Sequence, residues 1–72
     1  MNNLNMAKIQ LNGDSYEVNK GTNLNELLNK LKIQKNKVAI EVNGEIIERN
    51  KYFNLILDKD DKVEIVHLIG GG

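Results

Sequence analysis

Residues 21–31 read Gly-Thr-Asn-Leu-Asn-Glu-Leu-Leu-Asn-Lys-Leu, and this stretch decides the fold. Its four leucines recur at i, i+3, i+4 and i+7, the spacing of one apolar stripe on an α-helix. Asn23 is placed to cap that helix with Glu26 three positions later, and Thr22 is the alternative cap. A helix of about ten residues with one apolar face needs a sheet to cover that face.

The residues on both sides of the helix supply such a sheet. Apolar and polar side chains alternate through residues 6–19 and again through 38–42, as they do in half-buried strands. Ile46 and Ile47 continue the second segment, residues 38–47, as a short return strand. Each segment contains an Asn-Gly pair, at residues 12–13 and 43–44, which is typical of a tight hairpin turn. The sequence therefore predicts one hairpin before the helix and a shorter hairpin-like pair after it.

The last third of the chain predicts a loop followed by one strand. Residues 48–54 are too polar for a strand, so we expect a loop or a turn of 3₁₀ helix there, with Leu55 and Leu57 as apolar anchors. The final strand is predicted at Val63–Leu68, central in the sheet and paired with the first strand. By strand parity, Val63 and Ile65 face the helix.

These elements predict an α+β domain: a four- to five-stranded mixed sheet with one helix packed across one face. We assign residues 6–69 to this domain. Residues 1–5 are expected to be a disordered N-terminal extension and residues 70–72 a flexible glycine tail.

Composition excludes most kinds of catalyst. The 72 residues contain ten Lys and Arg, ten Asp and Glu, one His and no Cys. Thiolate nucleophiles, Fe–S clusters and Cys-type zinc sites are therefore absent, and a balanced charge does not favour nucleic-acid or membrane partners. With neither a signal peptide nor a membrane-spanning run, we expect a cytoplasmic domain that acts through a surface or a chain end.

The chain end is the first candidate site. Gly70, Gly71 and Gly72 follow directly on the predicted last strand. Three residues without Cβ make a thin thread that fits a narrow channel, and the α-carboxylate of Gly72 is the functional group at its tip. A carboxylate must be activated by a partner, so this chain would be a substrate rather than a catalyst. The alternative is that the glycines are a passive terminus.

The outer face of the last strand is the second candidate. Parity directs Val66 and Leu68 away from the helix, and with Ile69 they form a predicted docking face that leads into the tail. The alternative is that the loop at 48–54 covers them. His67 lies on the inward side by parity but at the end of the strand, so we expect a structural or rim role. A proton-transfer role is the less favoured alternative, because no second His, Cys or obviously placed acid accompanies it.

A third group is acidic and is expected to be structural. Asp58, Asp60 and Asp61 lack the spacing of a calcium-binding loop, so we expect a polar turn, in which Asp60 takes a left-handed conformation.

Several of these segments together resemble a known family. They are Leu11-Asn12-Gly13, Gly21-Thr22 before the leucines, residues 38–47 with Arg49, Val63–Val66 and the terminal glycines. The chain resembles the ubiquitin-like β-grasp sulfur carriers of the ThiS/MoaD family, and among them the carriers of thiamine biosynthesis. The resemblance covers nearly the whole chain from Met6. Asp60 departs from the family pattern, which usually has Gly there, and this affects only the turn.

The resemblance implies a function. An E1-like adenylyltransferase of the ThiF type would use ATP–Mg to adenylate Gly72, and this chain would bind no cofactor of its own. Sulfur from a cysteine desulfurase or another persulfide donor would then give a C-terminal thiocarboxylate, which thiazole synthase of the ThiG type would consume. Gly70 and Gly71 would form the thread, and Val66 and Leu68 would meet the enzymes.

Other functions stay open at this point. Carriers for molybdopterin synthesis and tRNA thiolation share the fold and the Gly-Gly end. A β-grasp interaction module with a passive tail is the alternative from another class. A free-standing enzyme is least favoured, because the sequence offers no nucleophile–base pair.

Overall fold

The computed structural model describes residues 4–69, which form one sheet and one helix. The strands and the helix are β1 (Met6–Leu11), β2 (Asp14–Asn19), α1 (Leu24–Leu31), β3 (Val38–Val42), β4 (Glu45–Ile47) and β5 (Lys62–His67). Single 3₁₀ turns occur at Lys35–Lys37 and Arg49–Lys51. The second turn lies inside the segment for which a loop or 3₁₀ turn was predicted, so that prediction is confirmed.

The sheet is five-stranded and mixed, in the order β2-β1-β5-β3-β4. The pairs β1–β2 and β3–β4 are antiparallel hairpins, and β5 fills the gap between them. It runs parallel to β1 and antiparallel to β3. The predicted central position of the last strand, and its pairing with the first, are therefore confirmed.

Both Asn-Gly turns have the backbone that their sequence predicts. Asn12 and Gly13 have φ angles of 49° and 87°, and Asn43 and Gly44 have 54° and 84°. Positive φ at both central residues is the type I′ arrangement, whose twist matches that of the flanking strands.

The helix begins as the sequence predicts. Asn23 Oδ1 accepts a hydrogen bond from the Glu26 amide at 2.8 Å, and Glu26 Oε1 accepts one from the Asn23 amide at 2.9 Å. This reciprocal pair is a capping box. Thr22, the alternative cap, instead donates its hydroxyl to the Asn19 carbonyl at 2.7 Å.

The core lies between α1 and one face of the sheet. Leu24, Leu27 and Leu28 are buried and Leu31 is half-buried, so the leucine stripe packs as predicted. Val63 and Ile65 of β5 are buried on the facing side, which confirms their inward orientation.

Tyr52 is a core residue that the sequence analysis did not identify. It follows the second 3₁₀ turn and is 1% exposed, although the segment at 48–54 is polar overall. A single aromatic residue in a polar loop gives no periodic signal. Leu57 is buried and Leu55 is half-buried, as their expected role as anchors requires.

The last strand differs from its predicted bounds, Val63–Leu68. It begins one residue earlier, at Lys62, and ends at His67. The strand ends there because His67 pairs with Val38, the first residue of β3, and the preceding residue Lys37 belongs to a 3₁₀ turn. Leu68 is therefore outside the strand.

The two predicted terminal segments lie mostly outside the described residues. Only residues 4–5 of the N-terminal extension are described, and the Asn5 carbonyl accepts a hydrogen bond from the Lys20 amide at 2.9 Å. The hairpin hydrogen bonds thus begin one residue before the predicted domain boundary. Gly70, Gly71 and Gly72 lie outside the described residues.

Candidate functional site

The candidate site that the structure describes is the end of β5 and the point where the chain leaves it. The predicted sulfur-carrying residue Gly72 and the predicted thread, Gly70 and Gly71, lie outside the described residues. Leu68 and Ile69 are described and lie directly before them. The last residue with a described backbone hydrogen bond to the sheet region is Leu68, whose amide donates to the Lys37 carbonyl at 2.9 Å.

The three residues of the predicted docking face are exposed. Val66 is 59% exposed, Leu68 38% and Ile69 100%. Val66 lies opposite Ala39 of β3, on the sheet face away from α1. The loop at 48–54 does not cover it, so the predicted alternative of a covered face is wrong. The structure thus brings exposed apolar side chains to Leu68, the root of the tail, although their docking role stays a prediction.

The same sheet face also carries Glu64, which strand parity places there with Val66, and two residues that the sequence did not point to. Ile46 of β4 is 71% exposed and lies opposite Glu41 of β3, and Glu41 lies opposite Glu64 of β5. An isoleucine and two carboxylates therefore adjoin the docking face. The alternation through residues 45–47 is too short to assign Ile46 to a face before the partner strand is known.

His67 lies at the rim, as predicted. It is the last residue of β5, opposite Val38, and its side chain is exposed even though strand parity puts it on the inward side. Between residues 4 and 69 the one ion pair is Lys51 with Glu48, at 4.0 Å between Nζ and Oε1. No carboxylate is therefore paired with His67 to form an acid–base couple in that range.

The acidic segment at 58–61 forms a hydrogen-bonded turn, as predicted. Asp61 Oδ2 accepts from the Asp58 amide at 2.7 Å, and its Oδ1 accepts from Asn43 Nδ2 at 3.0 Å. Asp60 has a φ of 69°, the left-handed conformation that was expected. Among the described residues, no three His, Cys, Asp or Glu side chains are grouped in a way that would hold a metal ion.

A groove with a volume of about 570 Å³ lies beside the C-terminal end of α1. Its lining combines amides, lysines and two apolar side chains: Asn25, Leu28, Asn29, Lys32, Ile33, Gln34, Lys35 and Asn36. No carboxylate, imidazole, hydroxyl or thiol is among these lining residues, so the two lysines have no acid or base beside them in the groove. The described helix is also too short to cross a bilayer.

Arg49 joins two segments near the root of the tail. Its Nε donates to the Lys35 carbonyl at 3.0 Å and its Nη2 donates to the Asn36 carbonyl at 3.4 Å. The guanidinium thus binds the 3₁₀ turn whose last residue, Lys37, accepts the hydrogen bond from Leu68. Arg49 is one of the residues that carry the family resemblance, but nothing in the sequence indicates these contacts.

Comparisons with known proteins agree on one family. The family model described as "ThiS family" matches residues 9–72. The sulfur carrier protein ThiS of Bacillus subtilis is 37% identical over 65 residues, which cover 89% of this chain and 98% of that protein. The crystal structure of the thiamine biosynthesis protein ThiS from Geobacter metallireducens superposes with a TM-score of 0.79 at 34% identity, covering 90% of this chain and 99% of that one.

A further relative is a longer protein. Thiazole synthase of Magnetococcus marinus is 43% identical over 65 residues, which cover 90% of this chain. The chain spans only 20% of the length of that protein. The matched segment is thus one part of a larger polypeptide that carries the name of an enzyme.

Proposed function

Because this chain belongs to the ThiS family, we propose that it is a sulfur carrier of thiamine biosynthesis that holds its cargo on the α-carboxylate of Gly72. The observation that carries the proposal is the position of β5. This central strand leads past exposed Val66 and Leu68 into a sequence of three glycines. The β-grasp domain is then the part of the chain that partner enzymes bind, and those enzymes supply the catalysis.

The proposed chemistry begins with activation of the carboxylate. An E1-like adenylyltransferase of the ThiF type transfers AMP from ATP–Mg to Gly72 and releases pyrophosphate. The terminal sulfur of a cysteine persulfide, supplied by a desulfurase or another donor, attacks the acyl carbon and displaces AMP. A thiol then reduces the resulting acyl disulfide, and a thiocarboxylate remains on Gly72.

The glycines suit this sequence of steps. An acyl-adenylate must be kept from water, and a narrow channel in the activating enzyme excludes water only if the entering chain is slim. Gly70 and Gly71 add no side chain and tolerate backbone angles closed to other residues. The same thread then carries the sulfur to a second enzyme.

Thiazole synthase is the proposed acceptor of the sulfur. In Magnetococcus marinus, a segment similar to this chain makes up one fifth of a protein named thiazole synthase. Joining two modules in one polypeptide raises their effective concentration, which favours a working partnership between them. We therefore assign the same partner to this chain.

The docking face has a defined role in this proposal. Val66, Leu68 and Ile69 offer apolar surface to each enzyme in turn, and the tail leaves the domain beside them. Burial of exposed apolar surface contributes roughly 25 cal/mol per Å² before the costs of association, so a face of three apolar side chains suits transient contacts.

Intact-mass spectrometry tests the function. The chain is incubated with ATP, the adenylyltransferase and a persulfide donor, and we expect a mass gain equal to replacement of one oxygen by sulfur, located on Gly72. A matched chain with one alanine added after Gly72 is expected to gain no sulfur, because its carboxylate is displaced. Absence of the mass gain in the original chain would refute the carrier function. If thiazole synthase, added afterwards with its substrates, does not remove the sulfur from the charged chain, the proposed acceptor is refuted.

A further inference from the structure

The point at which the tail leaves the domain is fixed by one hydrogen bond. The register of β5 on β3 ends with His67 opposite Val38, and the Leu68 amide then donates to the Lys37 carbonyl at 2.9 Å. Ile69, the next residue, is fully exposed. Leu68, which we call the root of the tail, is therefore held in a position that depends on Lys37.

The element that presents the Lys37 carbonyl is weak on its own. Lys37 ends a 3₁₀ turn of three residues, which has no buried residue and no side-chain cap. Short 3₁₀ turns have poor hydrogen-bond geometry and need support from elsewhere in the fold. Val38, which follows Lys37, is buried and paired in β3, so the unsupported side of the turn is at residues 35–36. Support on that side must come from groups outside the turn.

Arg49 supplies that support. Its guanidinium donates to the Lys35 carbonyl at 3.0 Å and to the Asn36 carbonyl at 3.4 Å, so it holds the two residues that precede Lys37. A planar guanidinium carries several donors in a fixed geometry and is suited to binding two acceptors at once. Arg49 takes part in no ion pair among residues 4–69, so its described contacts go to this backbone.

Arg49 is itself tied to the core through Tyr52. The Tyr52 amide donates to the Arg49 carbonyl at 3.2 Å, and the Tyr52 side chain is buried against the core. A continuous series of contacts thus runs from buried Tyr52 through Arg49 and the first 3₁₀ turn to the Leu68 amide.

We propose that Arg49 is a positioning residue for the C-terminal arm, in that it fixes the root from which residues 69–72 reach a partner's reaction centre. This inference rests on the proposed carrier function. Four residues span at most about 14 Å when fully extended, so the carboxylate arrives at the reaction centre only if the root is seated correctly. Loosening the root leaves docking intact and lowers the fraction of docked complexes in reactive geometry.

The test compares Arg49→Gln with Lys51→Gln. Lys51 is in the same 3₁₀ turn, is exposed and carries the same charge, but it donates no described hydrogen bond to residues 35–37. In Arg49→Gln the turn that presents the Lys37 carbonyl loses both hydrogen bonds from the guanidinium. We therefore expect hydrogen exchange of the Leu68 amide to be about tenfold faster. Exchange of the Ile9 amide in the core is expected to stay unchanged, and Lys51→Gln is expected to behave like the original chain.

The kinetic half of the test uses ATP–pyrophosphate exchange with the adenylyltransferase. With the carrier as varied substrate, Arg49→Gln is expected to lower kcat several-fold and to leave KM within twofold, and Arg49→Lys is expected to recover part of kcat. Unchanged Leu68 exchange, faster exchange at Ile9 as well, or a change in KM alone would each overturn the inference. If the original chain supports no ATP–pyrophosphate exchange, the carrier function fails, while Leu68 exchange still decides whether Arg49 fixes the root.

Discussion

Asn12 and Ile65 are joined by two hydrogen bonds although 53 positions separate them in the sequence. Asn12 Oδ1 accepts from the Ile65 amide at 2.7 Å, and Asn12 Nδ2 donates to the Ile65 carbonyl at 3.3 Å. The side-chain amide thus takes the place of a peptide group and continues the β1–β5 pairing beyond Leu11 and Val63. A hairpin turn residue is therefore also part of the centre of the sheet.

Replacement of Asn12 by glycine tests the contribution of these bonds. Glycine accepts the positive φ of this position but leaves the Ile65 amide and carbonyl without their partners. We expect the free energy of unfolding in urea to fall by about 1–3 kcal/mol. Asp60→Gly is the matched control, since Asp60 has a φ of 69° and no described side-chain hydrogen bond, and it should unfold at the same urea concentration or higher. Equal losses in the two variants would show that glycine itself, not the lost bonds, sets the stability.

The capping box of α1 gives a second prediction. Asn23→Ala removes the acceptor for the Glu26 amide, and we expect a loss of about 1 kcal/mol in unfolding free energy. Asn29→Ala is the control, because Asn29 is exposed on the same helix and alanine has the higher helix propensity. The cap would be unimportant if both variants had the melting temperature of the original chain.

The buried hydroxyl of Tyr52 leads to a prediction of how the free energy of unfolding changes at alkaline pH. Burial raises the pKa of its hydroxyl above 10.0, while Arg49 and a hydrogen bond with the Ile40 backbone oppose the shift. The folded state favours the neutral phenol over the phenolate. The resulting contribution of Tyr52 to the free energy of unfolding is complete below pH 10 and is lost as pH rises through the raised pKa. In Tyr52→Phe we expect a shallower fall of unfolding free energy above pH 10, measured by urea titrations. An equally steep fall in both proteins would exclude Tyr52 as a source of the alkaline loss.

The docking face is tested by a charge at its centre. Val66→Asp places a carboxylate where the proposed enzymes bury apolar surface, and we expect KM in ATP–pyrophosphate exchange to rise about tenfold or more. Ile56→Asp is the control, because Ile56 is 53% exposed, close to the 59% of Val66, but lies outside the docking face. Similar KM values for the two variants would place the contact surface elsewhere.

The proposed thread is tested at Gly71. Gly71→Val adds a β-branched side chain, so we expect ATP–pyrophosphate exchange to be lost while the melting curve stays unchanged. Gly71→Ala, with a single added methyl group, should retain part of the activity. Normal exchange by the valine variant would refute entry of the tail into a narrow channel.

Much of the fold was predictable because its signals are local. The two Asn-Gly pairs, the period of two around them and the leucine stripe of residues 24–31 each specify an element without reference to the rest of the chain. The central place of β5 followed from the need for a compact sheet, and the structure confirms it.

The unpredicted features are contacts between distant segments. The bonds of Asn12 to Ile65 and of Arg49 to Lys35 depend on how hairpins and turns meet, which no sequence period encodes. Tyr52 was assigned to a polar loop because its neighbours are polar, yet its ring fills the core. Ile46 faces solvent in a strand too short to show alternation.

The central place of the last strand has a consequence for synthesis. A ribosome that has released residues 4–61 has made two hairpins and a helix, but the strand that joins the hairpins is still missing. The hydrogen bonds of Asn12 to Ile65 span 53 positions of the sequence, so the sheet closes only after Lys62–His67 has been made. Until then the two hairpins have no strand between them, and a partly made chain cannot complete the five-stranded sheet.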